Sequence, residues 1–144
     1  MPAIESLQSI RDPVQVVRDY LAAMERRDLA AAGTMLAPGF RMTVPGGRRL
    51  DTLEHPVEFA KTRYRSARKT CERFDVAPDA ALGAAPAGEA SVVYCFGTLN
   101  GKLLSGEQNS GIRFIDRFTV AGGRLVDQTV WNDMAEVLGA KLRP

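Results

Sequence analysis

The sequence predicts an α+β fold in one domain, helices first and a meander of antiparallel strands after. Two periodicities predict it. Apolar residues recur at three- and four-residue spacing through much of the first half, and from Thr70 onward the period is two. No internal repeat and no linker long enough to divide the chain interrupts them, so residues 1–144 are expected to form a single domain. The 144 residues, 45% of them apolar and with a net charge of +2, suit that size class. A chain this long buries roughly 70% of its unfolded surface, so its core needs no disulfide or metal.

The elements follow in order. Asp12-Pro13 opens a helix, with an N-cap acceptor, proline at N1 and Gln15 placed for a capping box. Val16, Val17, Tyr20, Leu21 and Met24 form its apolar face. Asp28 caps a second helix through Leu36, which Pro38-Gly39 stops. Phe40 to Val44 alternates as a short strand, ended by Pro45-Gly46-Gly47. His55-Pro56 opens a third helix, with Val57, Ala60, Tyr64 and Ala67 on one side. Thr70 to Val76 reads as a strand and Asp79 to Gly88 as a connection. Ser91 to Leu99 runs into Asn100-Gly101, a hairpin-turn pair, with a polar loop at Gly106 to Gly111. Ile112 to Val120, a turn at Gly122-Gly123 and Arg124 to Asn132 make the last hairpin, and Asp133 caps a short helix through Leu138.

Composition removes several functions. There is no run of ~20 apolar residues, so no membrane span is expected, and Met1 to Ile10 lacks the pattern of a secretory leader. Cys71 and Cys95 are too few for a disulfide framework; reduced, buried thiols in a cytoplasm are the expectation. The single histidine, His55, excludes two-histidine zinc motifs and reads as a capping or surface residue. No metal and no cofactor are expected. Lys61, Arg63, Arg65, Arg68, Lys69 and Arg73 make the third helix basic, but no aromatic interleaving accompanies them, so a solvated face is expected and not a nucleic-acid site.

One residue stands out. Alternation along Ile112 to Val120 places Asp116 among Ile112, Phe114, Phe118 and Val120 on one face. A carboxylate there is costly without a partner, and burial favours its neutral form. The position is open to two other readings, a solvated edge or an ion pair with a neighbouring arginine.

Two segments carry a family resemblance: V-V-R-D-Y-L-A-A-M-E-R-R-D-L, Val16 to Leu29, and I-D-R-F-T-V-A-G-G-R-L-V-D-Q-T-V-W-N-D, Ile115 to Asp133. They resemble the nuclear-transport-factor-2-like superfamily, in particular its SnoaL-like polyketide cyclases and ketosteroid isomerases. The resemblance implies a cone-shaped curved sheet with helices enclosing a cavity. It implies that Tyr20 and Asp116 jointly hold a developing enolate oxygen, Asp116 as a protonated acid; that arrangement is the known one for ketosteroid isomerase. It also locates what is missing. The isomerases' proton-abstracting aspartate falls on Val44, and the aspartate of the cyclases and of epoxide-hydrolase-like members falls on Val130. Neither valine can take a proton.

The expected pocket wall comprises Met24, Phe40, Met42, Val44, Phe59, Tyr64, Tyr94, Phe96, Phe114, Gln128, Val130 and Asn132. Gln128 and Asn132 can hold a ligand oxygen or a water. Two functions follow: a cofactor-independent isomerase, cyclase or dehydratase acting on a small hydrophobic carbonyl compound, or a non-catalytic ligand-binding or assembly domain. The resemblance further implies a homodimer through the open sheet face, to which Arg113, Ile115, Arg117, Thr129 and Trp131 contribute.

Overall fold

The computed structural model describes residues 12–62, 64–78 and 90–139, with Phe59 and Pro78 described by their backbone only. Helices α1 (Pro13–Glu25) and α2 (Leu29–Gly33) precede β1 (Leu36–Thr43), β2 (Arg49–Leu50) and α3 (Glu54–Lys61). Four longer strands follow, β3 (Tyr64–Pro78), β4 (Ala90–Leu103), β5 (Gln108–Ala121) and β6 (Arg124–Asn132), and α4 (Met134–Leu138) closes the described chain. The strands form one curved, unclosed sheet in the order β2-β1-β6-β5-β4-β3. This is the α+β architecture that the periodicities predict. All neighbours are antiparallel except β1 and β6, which run parallel.

Helix α1 forms as its sequence dictates. The Asp12 carboxylate accepts from Val14 N at 3.0 Å, and Pro13 occupies the first turn, where a missing N–H costs nothing. Gln15 does not complete a capping box; its amide donates to Asp19 one turn along, at 2.8 Å. Val16, Val17, Tyr20 and Ala23 are buried against the sheet. Arg27, with φ at +58°, ends the helix in the left-handed region, and Asp28 N closes back on Ala23 O at 2.8 Å. Asp28 then caps α2 through Ala31 N.

Several expected boundaries move, each because strand pairing overrides local propensity. The second helix ends at Gly33, not Leu36, since Leu36 already pairs with Leu125. Pro38-Gly39 lies inside β1 at a register shift, where no ladder hydrogen bond is forfeited. Tyr64 and Ala67 do not extend the third helix; they pair with Leu103 and Gly101 on β4. Arg65, Arg68, Lys69 and Arg73 are therefore strand residues, and only Lys61 of the basic run is seen on α3. The ladder also absorbs the polar loop after Gly106, because β5 begins at Gln108. Arg63 and the Asp79 to Gly88 connection lie outside the described residues.

Asn100-Gly101 makes no turn. It sits within β4, opposite Ala67 and Arg68, and the chain reverses at residues 104–107 instead. The glycine is required for a different reason. A Cβ at Gly101 would stand 2.3 Å from Ser66 O, and one at Gly97 would stand 1.8 Å from Thr70 O, so β3 crosses β4 too closely for a side chain. Gly122 and Gly123 do form the β5–β6 turn, both at positive φ.

The inner face of the sheet packs in two apolar clusters. Val16, Val17, Tyr20, Phe40, Met42, Val93, Phe118 and Leu125 form one beneath the first helices. Tyr64, Cys95, Leu99, Leu103, Ile112, Phe114 and Leu138 form the other, beneath α4. Gly97→Ala is expected to lower unfolding stability by about 3 kcal/mol in urea titration, as overpacking against an immovable backbone does. Gly33→Ala, with open space around its Cβ, is the control that should leave it unchanged or slightly raised.

Candidate functional site

A pocket of about 880 Å3 opens between α1 and the inner face of the sheet, its walls drawn from both apolar clusters. Leu21, Met24, Met42, Val44, Leu50, Tyr64, Phe74, Leu99 and Val130 make most of it apolar. One end is polar, and its groups come from four elements: Tyr20 on α1, Lys69 on β3, Gln128 on β6 and, beneath them, Asp116 on β5.

Asp116 lies on the buried face that alternation predicts and is 0% exposed. It does not line the pocket. Lys69 Nζ reaches it from β3 and hydrogen-bonds Oδ2, so the carboxylate belongs to a buried ion pair whose cation is a lysine, not the arginine weighed from sequence. Gln128 Nε2 stands 3.5 Å from the same oxygen. Asp116 Oδ1 has no hydrogen-bond partner among the described residues. The cost of the buried charge therefore falls mainly on Lys69, whose side chain is 23% exposed and forms part of the pocket surface. The ammonium also lies 5.1 Å from the centre of the Phe114 ring.

Tyr20 and Asp116 are joined through Gln128 and not directly. The phenol donates to Gln128 Oε1 at 3.0 Å. Burial first, and the Asp116 charge second, push the Tyr20 hydroxyl well above the usual tyrosine range, so it remains a donor. Phe40 and Phe118 hold its ring at centroid distances of 6.2 and 5.9 Å. The chain Tyr20–Gln128–Asp116–Lys69 thus presents an ammonium at the surface, backed by a carboxylate, with a neutral amide beside it.

Of the expected wall, Met24, Met42, Val44, Tyr64, Gln128, Val130 and Asn132 line the pocket. Phe40 and Phe114 lie behind that surface, as supports of Tyr20 and Lys69. The Phe59 side chain lies outside the described residues. Tyr94 and Phe96 must be reassigned. They do share a face with Val92, but their partners Arg117 and Ile115 alternate with the buried Asp116, so this is the outer face. There they stack on each other at 6.4 Å.

His55 is exposed on α3, outside the lining. Asp133 stands at the N-cap position of α4 without capping it. Its carboxylate takes Arg113 instead, and Asn132 Oδ1 accepts from Met134 N at 3.0 Å. Most of the basic run is spent at the surface, Arg68 on Glu25 at 2.8 Å and Arg73 on Asp75 at 2.8 Å. Lys69 is the site residue that sequence reasoning missed. Once 64–78 is read as a strand, alternation puts Ala67, Lys69 and Cys71 on one face, and all three line the pocket.

Among the described residues, no three His, Cys, Asp or Glu side chains cluster as metal ligands, and no helix is long and apolar enough to cross a membrane.

The family model for the SnoaL-like domain matches residues 17–128. No curated protein matches the chain. Similar solved structures include a nuclear-transport-factor-2-like protein of unknown function from Burkholderia pseudomallei, 24% identical, with a TM-score of 0.66 over 90% of this chain and 96% of that one. A SnoaL-like polyketide cyclase proposed for a Jannaschia species is 17% identical, with a TM-score of 0.62 over 94% and 98%. A protein of ketosteroid-isomerase-like fold from Catenulispora acidiphila, in complex with trimethylamine, is 13% identical, with a TM-score of 0.64 over 93% and 96%. At these identities the likeness is one of fold.

Lys69→Met strands Asp116 as an unpaired buried charge and is expected to cost about 3 kcal/mol of stability in urea unfolding. The double variant Lys69→Met/Asp116→Asn should recover most of that loss. Equal stability of the single variant and the parent protein would refute the ion pair.

Proposed function

Because this chain belongs to the SnoaL-like domain family, we propose that its pocket binds a small, largely apolar carbonyl compound and stabilises the enolate form of that compound. The observation that carries this is Lys69, the lining cation that a fully buried carboxylate holds, beside Gln128 in a largely apolar pocket whose other charged lining residues are Arg18, Glu25 and Arg48. A ligand oxygen placed on Lys69 Nζ meets a fixed positive charge in a medium of low dielectric, where it favours the charged enolate over the neutral ketone. The Gln128 amide lies alongside as a second group able to meet that oxygen. Tyr20 orients the amide by donating to its oxygen, and Asp116 orients the ammonium. In this reading Tyr20 and Asp116 position the groups that meet the ligand.

The reaction class that fits is isomerisation, cyclisation or dehydration through an enolate, without a cofactor. Val44 and Val130 occupy the wall where resembling enzymes carry acids, and the carboxylate among the described lining residues, Glu25, is engaged by Arg68 at 2.8 Å. The proton released from the α-carbon therefore passes to water in the open pocket, and the acceleration rests on Lys69. Those same two valines favour a second reading, a non-catalytic binder of hydrophobic ligands.

The outer face suits a second copy of the chain. Trp131 is 50% exposed, pairs with the exposed Ile115, and Phe96 continues the row. Arg113, Arg117 and Thr129 surround it. The two free thiols, Cys71 and Cys95, fit a reducing compartment such as the cytoplasm.

α-Tetralone, a bicyclic ketone, is expected to bind saturably by calorimetry, about tenfold more weakly to Lys69→Met. In deuterated water, NMR should show protein-accelerated exchange of its α-hydrogens, lost in Lys69→Met. Binding without accelerated exchange selects the non-catalytic reading, and no binding defeats both. In sedimentation experiments the parent chain should form a dimer that Trp131→Glu dissociates.

A further inference from the structure

Lys69 has a neighbour two residues along β3 whose chemistry enolate stabilisation leaves unused. Cys71 lies on the same strand face, lines the pocket and is only partly buried. At a rise of about 3.3 Å per residue, the two side chains stand side by side with their bases ~6–7 Å apart. Behind Cys71, on β4, the thiol of the fully buried Cys95 lies directly against Cys71 Sγ, as its hydrogen-bond donor. A buried cysteine with no access to a cavity is an inert core residue, and Cys95 is one. Cys71 differs on three counts: it faces open volume, its sulfur accepts a hydrogen bond, and a cation stands beside it.

Each of these favours sulfur as an anion. The hydrogen bond from Cys95 is the largest influence lowering the Cys71 thiol, and the Lys69 charge adds to it against the opposing effect of burial. The same bond and burial push the Cys95 thiol up, which keeps the donor protonated.

We propose that Cys71 is a nucleophile that adds to an α,β-unsaturated carbonyl compound whose oxygen is seated on Lys69. This rests on the reading of the pocket as a carbonyl site and names a narrower ligand class for it. Saturated ketones have an oxygen for Lys69 but no electrophilic carbon for Cys71; an enone has both, at opposite ends of one conjugated unit. Cys71 first loses its proton to water. Its sulfur then bonds to the β-carbon, and the electron pair of the carbon–carbon double bond moves through the α-carbon to give an enolate, with its oxygen facing Lys69. The α-carbon takes a proton from water. The net change is addition of S–H across the double bond, giving a thioether, with no oxidant or reductant consumed.

The test uses the whole chain, reduced and then desalted, with cyclohexenone as the probe and intact-mass and peptide-level mass spectrometry as readouts. One cyclohexenone per chain is expected on Cys71, at a rate that saturates with enone concentration. Cys71→Ser and Cys71→Ala should take up none, and Lys69→Met should react about tenfold or more slowly. Modification of Cys95 instead, or a Cys71 rate that rises linearly and matches that of free glutathione, would overturn the proposal. Calorimetric binding of α-tetralone separates the two levels of the argument. Tetralone binding with no enone adduct removes the nucleophile and leaves the carbonyl pocket standing, whereas absence of both removes the pocket reading and this inference with it.

Discussion

A carboxylate in the middle of β5, with apolar residues before and after it on the same face, sets the terms for everything around it. Asp116 cannot reach water, so a cation must come to it, and Lys69 arrives from β3, two strands away in the sheet. Gln128 approaches from the strand on the other side, and Tyr20 fixes Gln128 from the helix above. One polar chain therefore ties α1, β3, β5 and β6 together through an otherwise apolar face. Buried ion pairs contribute little net stability over a well-packed apolar alternative. Their effect here is on registration: a slip of β3 by one residue would turn Lys69 outward and leave Asp116 alone. The close crossing at Gly97 and Gly101 holds the same strand to the same alignment by a steric route.

On the proposed reading, this arrangement separates two tasks that resembling enzymes combine. Stabilising charge on a ligand oxygen needs a fixed cation or donor, and the pocket has Lys69 for it. Removing a proton from carbon needs a base at another point of the wall, and there the chain has Val44 and Val130. On the proposed reading, a pocket of this kind acts on the polarity of a bound carbonyl more than on its C–H bonds. Its selectivity then depends on whether the bound molecule is itself already reactive.

The α+β fold, the boundaries of β6 and the buried face of β5 were legible in the sequence because they depend on period and capping, which are local. The inward placement of Tyr20, Gln128 and Val130 was legible too, since each sits on an element whose period is unambiguous. The misread stretch, 64–69, begins directly after a helix and contains good helix formers. Only its pairing with β4, about 35 residues further on, makes it a strand. That one error hid Lys69 and turned its charge into part of a solvated helix face. Tyr94 and Phe96 were misplaced by the complementary fault: alternation was right, but period alone does not say which face looks inward. Asn100-Gly101 shows that a glycine signal reports a backbone constraint without saying which one.

Lys69 and Cys71, which line the pocket two residues apart, both stand on β3, the last strand of the sheet. Within the described sheet its backbone is laddered to β4 on one side only, so opening it breaks fewer interstrand hydrogen bonds than opening β5, which is paired on both sides, would. Lys69 and Cys71 are thus mounted at the edge of the sheet, while Asp116, the carboxylate that anchors Lys69, is mounted at its centre. On the proposed reading, a bulky ligand would be admitted by outward displacement of β3, which would stretch the Lys69–Asp116 contact. A compact one would leave that contact intact. Ligand size and strength of polarisation would then be coupled, and the coupling would run through a single ion pair.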